Sequence, residues 1–200
     1  MGELMLPLVQ QIALDLACSC LYSSGSSTEP VLILPSSPAI AAGVSQRLGD
    51  AKLASESGKE PDGRLRLYHR ALWAIPRSST WRDNFRMIDG VLSADGVLSI
   101  VLSGTGGWLG PYSGGMLQSW SIARGLRAAF ETLGYRRERA FTLGGVEAVR
   151  WAVSARLARL RGRPELVDRA ESGYRAALTT PDQLLPFLLV WQVRKGQRVR

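Results

Sequence analysis

Two short apolar runs stand out against segments whose apolar residues recur every three or four positions. Residues 31–34 and 97–102 are nearly continuous apolar runs, which is typical of strands buried on both faces of a parallel sheet. Before the second run, residues 81–92 carry Trp, Phe, Ile and Leu at helical spacing, and residues 94–96 predict a turn. This alternation of strand and helix predicts an α/β fold built on a parallel sheet.

The same patterns predict the other elements. Proline at position 38 suits the first turn of a helix that runs to residue 48. We expect further strands at residues 65–75, 139–143 and 184–194, and helices at residues 116–133, 146–160 and 164–178. The helix at 146–160 has an apolar stripe, predicted to face the core, that consists of Val146, Val149, Val153, Leu157 and Leu160.

The N-terminal segment is predicted to be an amphipathic helix followed by a flexible linker. Leu8, Ile12 and Leu16 share one helical face, and a serine-rich stretch follows them. We therefore divide the chain into an N-terminal helix and linker at residues 1–30 and a single α/β domain at residues 31–200.

The sequence gives no sign of a membrane span or an export signal. No window reaches the ~18 uninterrupted apolar residues that a spanning helix needs. The apolar N-terminal segment lacks a basic region and is interrupted by Asp15. We therefore expect a cytoplasmic protein without a membrane partner, and the low number of cysteines suits that reducing compartment.

Composition and charge narrow the class of protein. The 200 residues are 46% apolar and 21% charged, so the chain can bury one domain-sized core. Residues 121–200 carry 16 Lys and Arg against 7 Asp and Glu, whereas residues 1–120 carry 9 against 10. Such an excess attracts phosphates or acidic partners, nucleic acid among them, although a solvated arginine-rich surface also explains it.

Few side chains suit covalent or metal chemistry. His69 is the single histidine, so a two-histidine metal site is excluded. Cys18 and Cys20 are too close in sequence for an ordinary disulfide and too few for a zinc site. We expect no bound metal.

A glycine-rich stretch at residues 104–115 follows the run at 97–102. It lacks the Gly-Lys-Ser/Thr ending of a P-loop, and it does not follow the first strand as a dinucleotide-binding fingerprint does. The stretch is therefore either a mobile loop or a lid that faces a ligand. In the second case Trp108 and Tyr112 would offer flat apolar surfaces to that ligand.

Three consecutive segments share their order with one known family. Residues 69–76 form a strand that leads into an apolar loop, residues 81–92 form a helix that ends in a leucine and a glycine turn, and residues 94–102 form the next strand. A helix, a strand, a helical insertion and a last strand that ends at Lys195 complete the pattern. Over roughly residues 31–195, this order resembles the class I S-adenosylmethionine-dependent methyltransferases.

The resemblance implies a Rossmann-like methyltransferase fold, with helices on both faces of a mostly parallel sheet that is shortened between the family's strands 1 and 4. It also implies S-adenosylmethionine as the cofactor, bound at the turn after the first strand. The cofactor-binding residues that it implies are Pro35, Ser36, Ser37, Glu56 and Trp73.

The resemblance also suggests roles for three other residues. Trp108 and Tyr112 would bind the methyl acceptor. His69 would lie at the carboxyl end of a strand, where open α/β sheets bind ligands, and would act there as a catalytic base.

Two functions of different classes stay open at this point. The first is an S-adenosylmethionine-dependent methyltransferase whose acceptor, a small molecule or a macromolecule, is unknown. The second is a non-catalytic methyltransferase-like module for binding or homo-oligomerisation, which contacts nucleic acid through its basic last third. The turn at residues 35–38 favours the second, because it has proline and serine where the family has an acidic residue and glycines.

Overall fold

The computed structural model describes residues 5–22, 31–34, 38–48, 67–74, 76, 79–103, 116–180 and 186–196. Its strands are β1 (Val31–Leu34), β2 (Tyr68–Ala74), β3 (Leu92–Ser103), β4 (Tyr135–Leu143) and β5 (Leu188–Lys195). Its helices are α1 (Met5–Tyr22), α2 (Pro38–Leu48), α3 (Trp81–Val91), α4 (Met116–Leu133), α5 (Val146–Leu160) and α6 (Pro164–Leu178).

The strands form one mixed sheet in the order β1-β2-β3-β5-β4. β1, β2 and β3 are parallel, and β5 runs antiparallel to both β3 and β4. β4 therefore points in the same direction as the first three strands, and β5 is the one reversed strand among those described. The predicted α/β fold with a mostly parallel sheet is confirmed.

Both faces of the sheet are covered by helices. One apolar cluster joins the sheet to α1, α2, α5 and α6, and the second joins the opposite face to α3 and α4. The near-continuous apolar sequence of the central strands follows from this arrangement, because both sides of each strand are buried. The chain is thus Rossmann-like, with helices on both faces as predicted.

The N-terminal helix is part of the first cluster. Ala13, Ala17 and Leu21 of α1 are fully buried there, while Ile12 and Leu16 are half-buried. The buried face is therefore displaced by about one residue from the predicted one. Cys18 lies in the same cluster as a free thiol, and burial raises its pKa to about 11.

The turn expected at residues 94–96 lies inside a strand. β3 starts at Leu92, and its pairing with β2 steps from Leu92 opposite Tyr68 to Val97 opposite Arg70. The extra residues form a bulge, in which Asp95 adopts a left-handed conformation with φ 62°. The turn residues recognised in the sequence thus kink a continuous strand instead of starting one.

The apolar stripe of α5 points away from the core, so the prediction that it would be buried is wrong. The exposed fractions are 43% for Val146, 50% for Val153, 46% for Leu157 and 72% for Leu160, while Val149 is half-buried. We call these five residues the α5 stripe. The buried residues of the helix are instead three alanines: Ala148, Ala155 and Ala158.

Close packing between α5 and α6 explains the reversal. A Cβ atom on Gly173 of α6 would lie 2.5 Å from the ring of Trp151, so only glycine lets α5 approach this closely. Small residues at a helix contact allow short interaxial distances and extensive van der Waals contact. The small-residue face therefore packs inward, and the larger aliphatic side chains remain outside.

Candidate functional site

The helices that follow the first two strands lie on opposite faces of the sheet. α2 contributes Ile40 and Val44 to the same cluster as Val31, whereas α3 contributes Phe85 and Ile88 to the other cluster. β1 and β2 are nevertheless adjacent and parallel. In open α/β sheets such a point, where successive helices change face, opens a crevice at the carboxyl ends of the two strands.

Such a crevice would lie beyond Leu34 of β1 and Ala74 of β2. Leu34 is half-buried and pairs in register with Trp73. Trp73 itself is 2% exposed, and its ring stacks on Phe85 with 6.5 Å between ring centroids and 7° between planes. Trp73 thus lies near the predicted edge of the sheet, but with its side chain buried in the apolar core.

The amino end of α3 adds a cation to the same edge. The ring of Trp81 packs closely against Gly125 of α4: a Cβ atom on Gly125 would lie 2.6 Å from this ring. The guanidinium carbon of exposed Arg82 lies 4.8 Å from the centroid of that ring, an arrangement that orders the cation. Arg82 was not among the residues predicted from sequence, although it follows Trp81 directly at a predicted helix start.

His69 lies at the other end of β2. The strand begins at Tyr68, so His69 occupies its amino end, and the expected position at a carboxyl end is wrong. His69 and Trp73 are four positions apart along the strand, or about 13 Å. Exposed His69 makes a 2.8 Å hydrogen bond between its Nδ1 and Ser93 Oγ in the β3 bulge, which fastens β2 to that bulge.

A second polar cluster, not foreseen from the sequence, fixes the end of α3. Lys195 Nζ donates hydrogen bonds to the carbonyl oxygens of Asp89 and, at 2.8 Å, of Leu92. It also lies 3.2 Å from Asp89 Oδ1, which accepts a 2.9 Å hydrogen bond from the hydroxyl of Tyr135. A cation at a helix carboxyl end is favourable for the helix dipole, and this cluster is therefore structural.

The other residues predicted for the site lie outside the described part of the chain. They are Pro35, Ser36, Ser37, Glu56, Trp108 and Tyr112. Residues 35–37 directly follow β1, and the glycine-rich stretch directly follows β3, so both connect to carboxyl ends of parallel strands. The segment between α2 and β2, where we expected the shortening, is also outside the described residues.

Within the described residues, no group of three or more His, Cys, Asp and Glu side chains is arranged to bind a metal ion. The same residues include no helix with the length and apolarity that crossing a bilayer requires.

Comparison with known proteins gives structural neighbours only. No family model matches the chain, and no curated protein sequence matches it. The N-methyltransferase NodS from Bradyrhizobium japonicum is 9% identical with a TM-score of 0.49, over 94% of this chain and 97% of that one. A cyclopropane-fatty-acyl-phospholipid synthase-like protein from Lactobacillus casei is 11% identical with a TM-score of 0.40, over 92% and 90%.

A third neighbour is larger. Phosphoethanolamine N-methyltransferase 2 from Haemonchus contortus, in complex with S-adenosyl-L-methionine, is 12% identical with a TM-score of 0.46. The match covers 95% of this chain but 37% of that protein. All three TM-scores are below 0.5. The Rossmann-like fold follows from the strand order and from the faces of the sheet that the helices cover.

Proposed function

We propose that the chain is an S-adenosylmethionine-dependent methyltransferase that binds its cofactor between the carboxyl ends of β1 and β2. The observation that carries the proposal is the change of helix face between these two strands, because ligands of open α/β sheets bind at such points. The sequence resemblance places the cofactor at the turn after β1, which is the same location. The topology of the sheet and the sequence resemblance thus favour the same crevice.

The described residues fit this cofactor. Leu34 and Trp73 give the crevice an apolar floor suited to a flat aromatic base, and Arg82 supplies a cation at the same edge. When bound, S-adenosylmethionine would supply an electrophilic methyl group. Pro35, Ser36 and Ser37 would contact it from the end of β1, and Glu56 would accept hydrogen bonds from its ribose.

His69 has no part in this proposal, because it lies at the opposite edge of the sheet. Catalysis would then depend on holding the acceptor in line with the methyl group, since positioning alone provides large rate factors in group transfer. Trp108 and Tyr112, in the stretch that follows β3, would position the acceptor. Its chemical class is left open.

Calorimetric titration with S-adenosylmethionine tests the proposal. We expect the native protein to bind, and the Ser36→Gly, Ser37→Gly double variant to bind more tightly, because the glycines remove side chains from a turn where the resembling family has bare backbone. His69→Ala is the matched control and should leave the affinity unchanged. Absence of binding at millimolar cofactor in both the native protein and the double variant would refute the proposal.

The second candidate is a non-catalytic binding or oligomerisation module with the same fold. It is favoured by the observation that the single histidine does not reach the carboxyl edge of the sheet, which leaves that edge without the predicted base. The titration separates the two candidates, because such a module would retain its fold and fail to bind the cofactor.

A further inference from the structure

The α5 stripe places four exposed aliphatic side chains on one helix. Its residues are spaced by 3, 4, 4 and 3 positions, so they form a nearly straight row along the outer side of the helix. At 1.5 Å per residue the row is about 21 Å long. Isolated exposed aliphatic residues are ordinary, but a continuous row of them usually marks an interaction site.

Arginines line both sides of this row. With 100° between successive residues of a helix, Arg150 and Arg161 lie on one side of the α5 stripe and Arg156 lies on the other. All three are exposed. The nearby acid, Glu147, has a carboxylate oxygen 3.6 Å from the guanidinium of Arg150. The surface is therefore apolar along its centre and positively charged at its margins.

The connection between α5 and α6 also carries exposed apolar and cationic side chains. Leu160 is 72% exposed and Leu166, in the first turn of α6, is 40% exposed. Between them, Arg161 and Arg163 are exposed as well. Apolar and cationic side chains thus continue past the end of the helix, where the exposed acids Glu165 and Asp168 also lie.

Shape and charge together select the partner. A second copy of this surface would bring arginines against arginines, which is repulsive. The stripe lies on the convex side of a single helix, so it suits a flat surface that demands no shape complementarity. An apolar helical stripe flanked by arginines matches the interfacial region of a bilayer, where the apolar side chains enter the acyl boundary and the cations meet anionic headgroups.

We propose that the α5 stripe and its flanking arginines bind the surface of an anionic lipid bilayer, with α5 lying in the plane of the headgroups. This replaces the expectation of no membrane partner, which was based on the lack of a spanning window and of an export signal in the sequence. It involves binding to the surface alone and no membrane-spanning segment. The proposal is independent of the cofactor, since no residue of the crevice takes part.

Sedimentation with vesicles tests this proposal on the full chain. We expect binding to vesicles of phosphatidylcholine with one-third phosphatidylserine, weak binding to pure phosphatidylcholine, and a loss of affinity as salt is added. Leu157→Ser with Val153→Ser should weaken binding at least about fivefold through the lost apolar contact. Arg150→Gln and Arg161→Gln should each weaken it about fivefold.

Arg86→Gln is the matched control, because Arg86 is 80% exposed on α3 at the opposite face of the sheet. It should bind vesicles like the native protein. Absence of binding to the anionic vesicles would overturn the proposal. Undiminished binding of the Leu157→Ser, Val153→Ser variant would also overturn it, because the binding would then depend on charge alone. Self-association in solution that this double variant abolishes would overturn it as well, because the stripe would then bind a second copy of the chain.

Discussion

Ser99 is a polar residue in the most apolar part of the sheet. It lies in the middle of β3, is fully buried, and its Oγ has no hydrogen-bond partner among the described residues. A buried hydroxyl without a partner loses its hydration and gains nothing in return. We therefore expect Ser99→Ala to raise the free energy of unfolding by about 1 kcal/mol, measured by urea denaturation.

Substitution of a second serine in the same strand is the control, and it should change the free energy of unfolding in the opposite direction. Ser93 is also buried, but its Oγ is hydrogen-bonded to His69 across the bulge. Ser93→Ala should therefore lower the free energy of unfolding by about 1 kcal/mol. Equal effects of the two substitutions would contradict the distinction between the paired and the unpaired hydroxyl.

At the scale of the element, Lys195 connects β5 to the carboxyl end of α3. Its side chain is 12% exposed and that of Asp89 is 16% exposed. Removal of the cation would leave the Asp89 carboxylate and the backbone carbonyls of Asp89 and Leu92 without this donor in a mostly buried place. We expect Lys195→Met to lower the free energy of unfolding by about 3 kcal/mol, because breaking a buried ion pair is strongly destabilising.

The matched control for Lys195 is an exposed pair on the same helix. Arg86 and Asp83 lie 3.8 Å apart, and both side chains are 80% exposed. Exposed pairs contribute little because water screens them, so Arg86→Met should leave the denaturation midpoint unchanged. A Lys195→Met protein as stable as the Arg86→Met protein would show that the α3 end does not depend on this contact.

Helix and strand positions were predictable from sequence because they depend on local periodicity. α4, α5 and α6 lie where the pattern placed them, and both continuous apolar runs are buried strands. Which face of α5 is buried was not predictable, because this depends on how closely α6 approaches. That distance is set by Gly173 against Trp151, a pairing that periodicity within one helix does not report.

The residues of the candidate site were likewise predictable where the signal is local and not predictable where it depends on pairing or packing. The sequence identified the end of β1 because a buried strand followed by a helix start is a local signal. It misplaced His69 because an alternating segment at residues 65–69 does not reveal where strand pairing begins, and β2 starts at Tyr68. Arg82 was missed since its order depends on a ring contact at the start of α3.

At the scale of the whole molecule, the buried thiol of α1 links stability to pH. The pKa of Cys18 is raised from 9.0 to about 11, chiefly because burial disfavours the thiolate, while nearby Arg47 opposes this. The folded pKa thus lies above the unfolded one, so the thiol stabilises the fold fully below pH 9. This stabilisation, up to about 3 kcal/mol, is lost as the pH rises through about 11.

Urea denaturation between pH 8 and about pH 11 measures this dependence. The free energy of unfolding should fall with rising pH, and the fall should be shallower in Cys18→Ala. Burial also raises the pKa of Tyr174, so part of the fall should persist in that variant. Ser19→Ala changes the exposed neighbour of Cys18 and should retain the native slope; identical slopes for all three proteins would contradict the assignment.

The position of β5 has a consequence for biosynthesis. It follows β4 in the sequence, yet it lies between β3 and β4 and pairs with both. While a ribosome is still translating the preceding helices, β3 has one open edge and β4 lacks the neighbour described here. The nascent chain can therefore assemble β1, β2 and β3 early, but β4 can join them only after residue 195 has left the exit tunnel. Release of a shortened chain would leave the edge of β3 uncovered, and an uncovered edge strand invites aggregation.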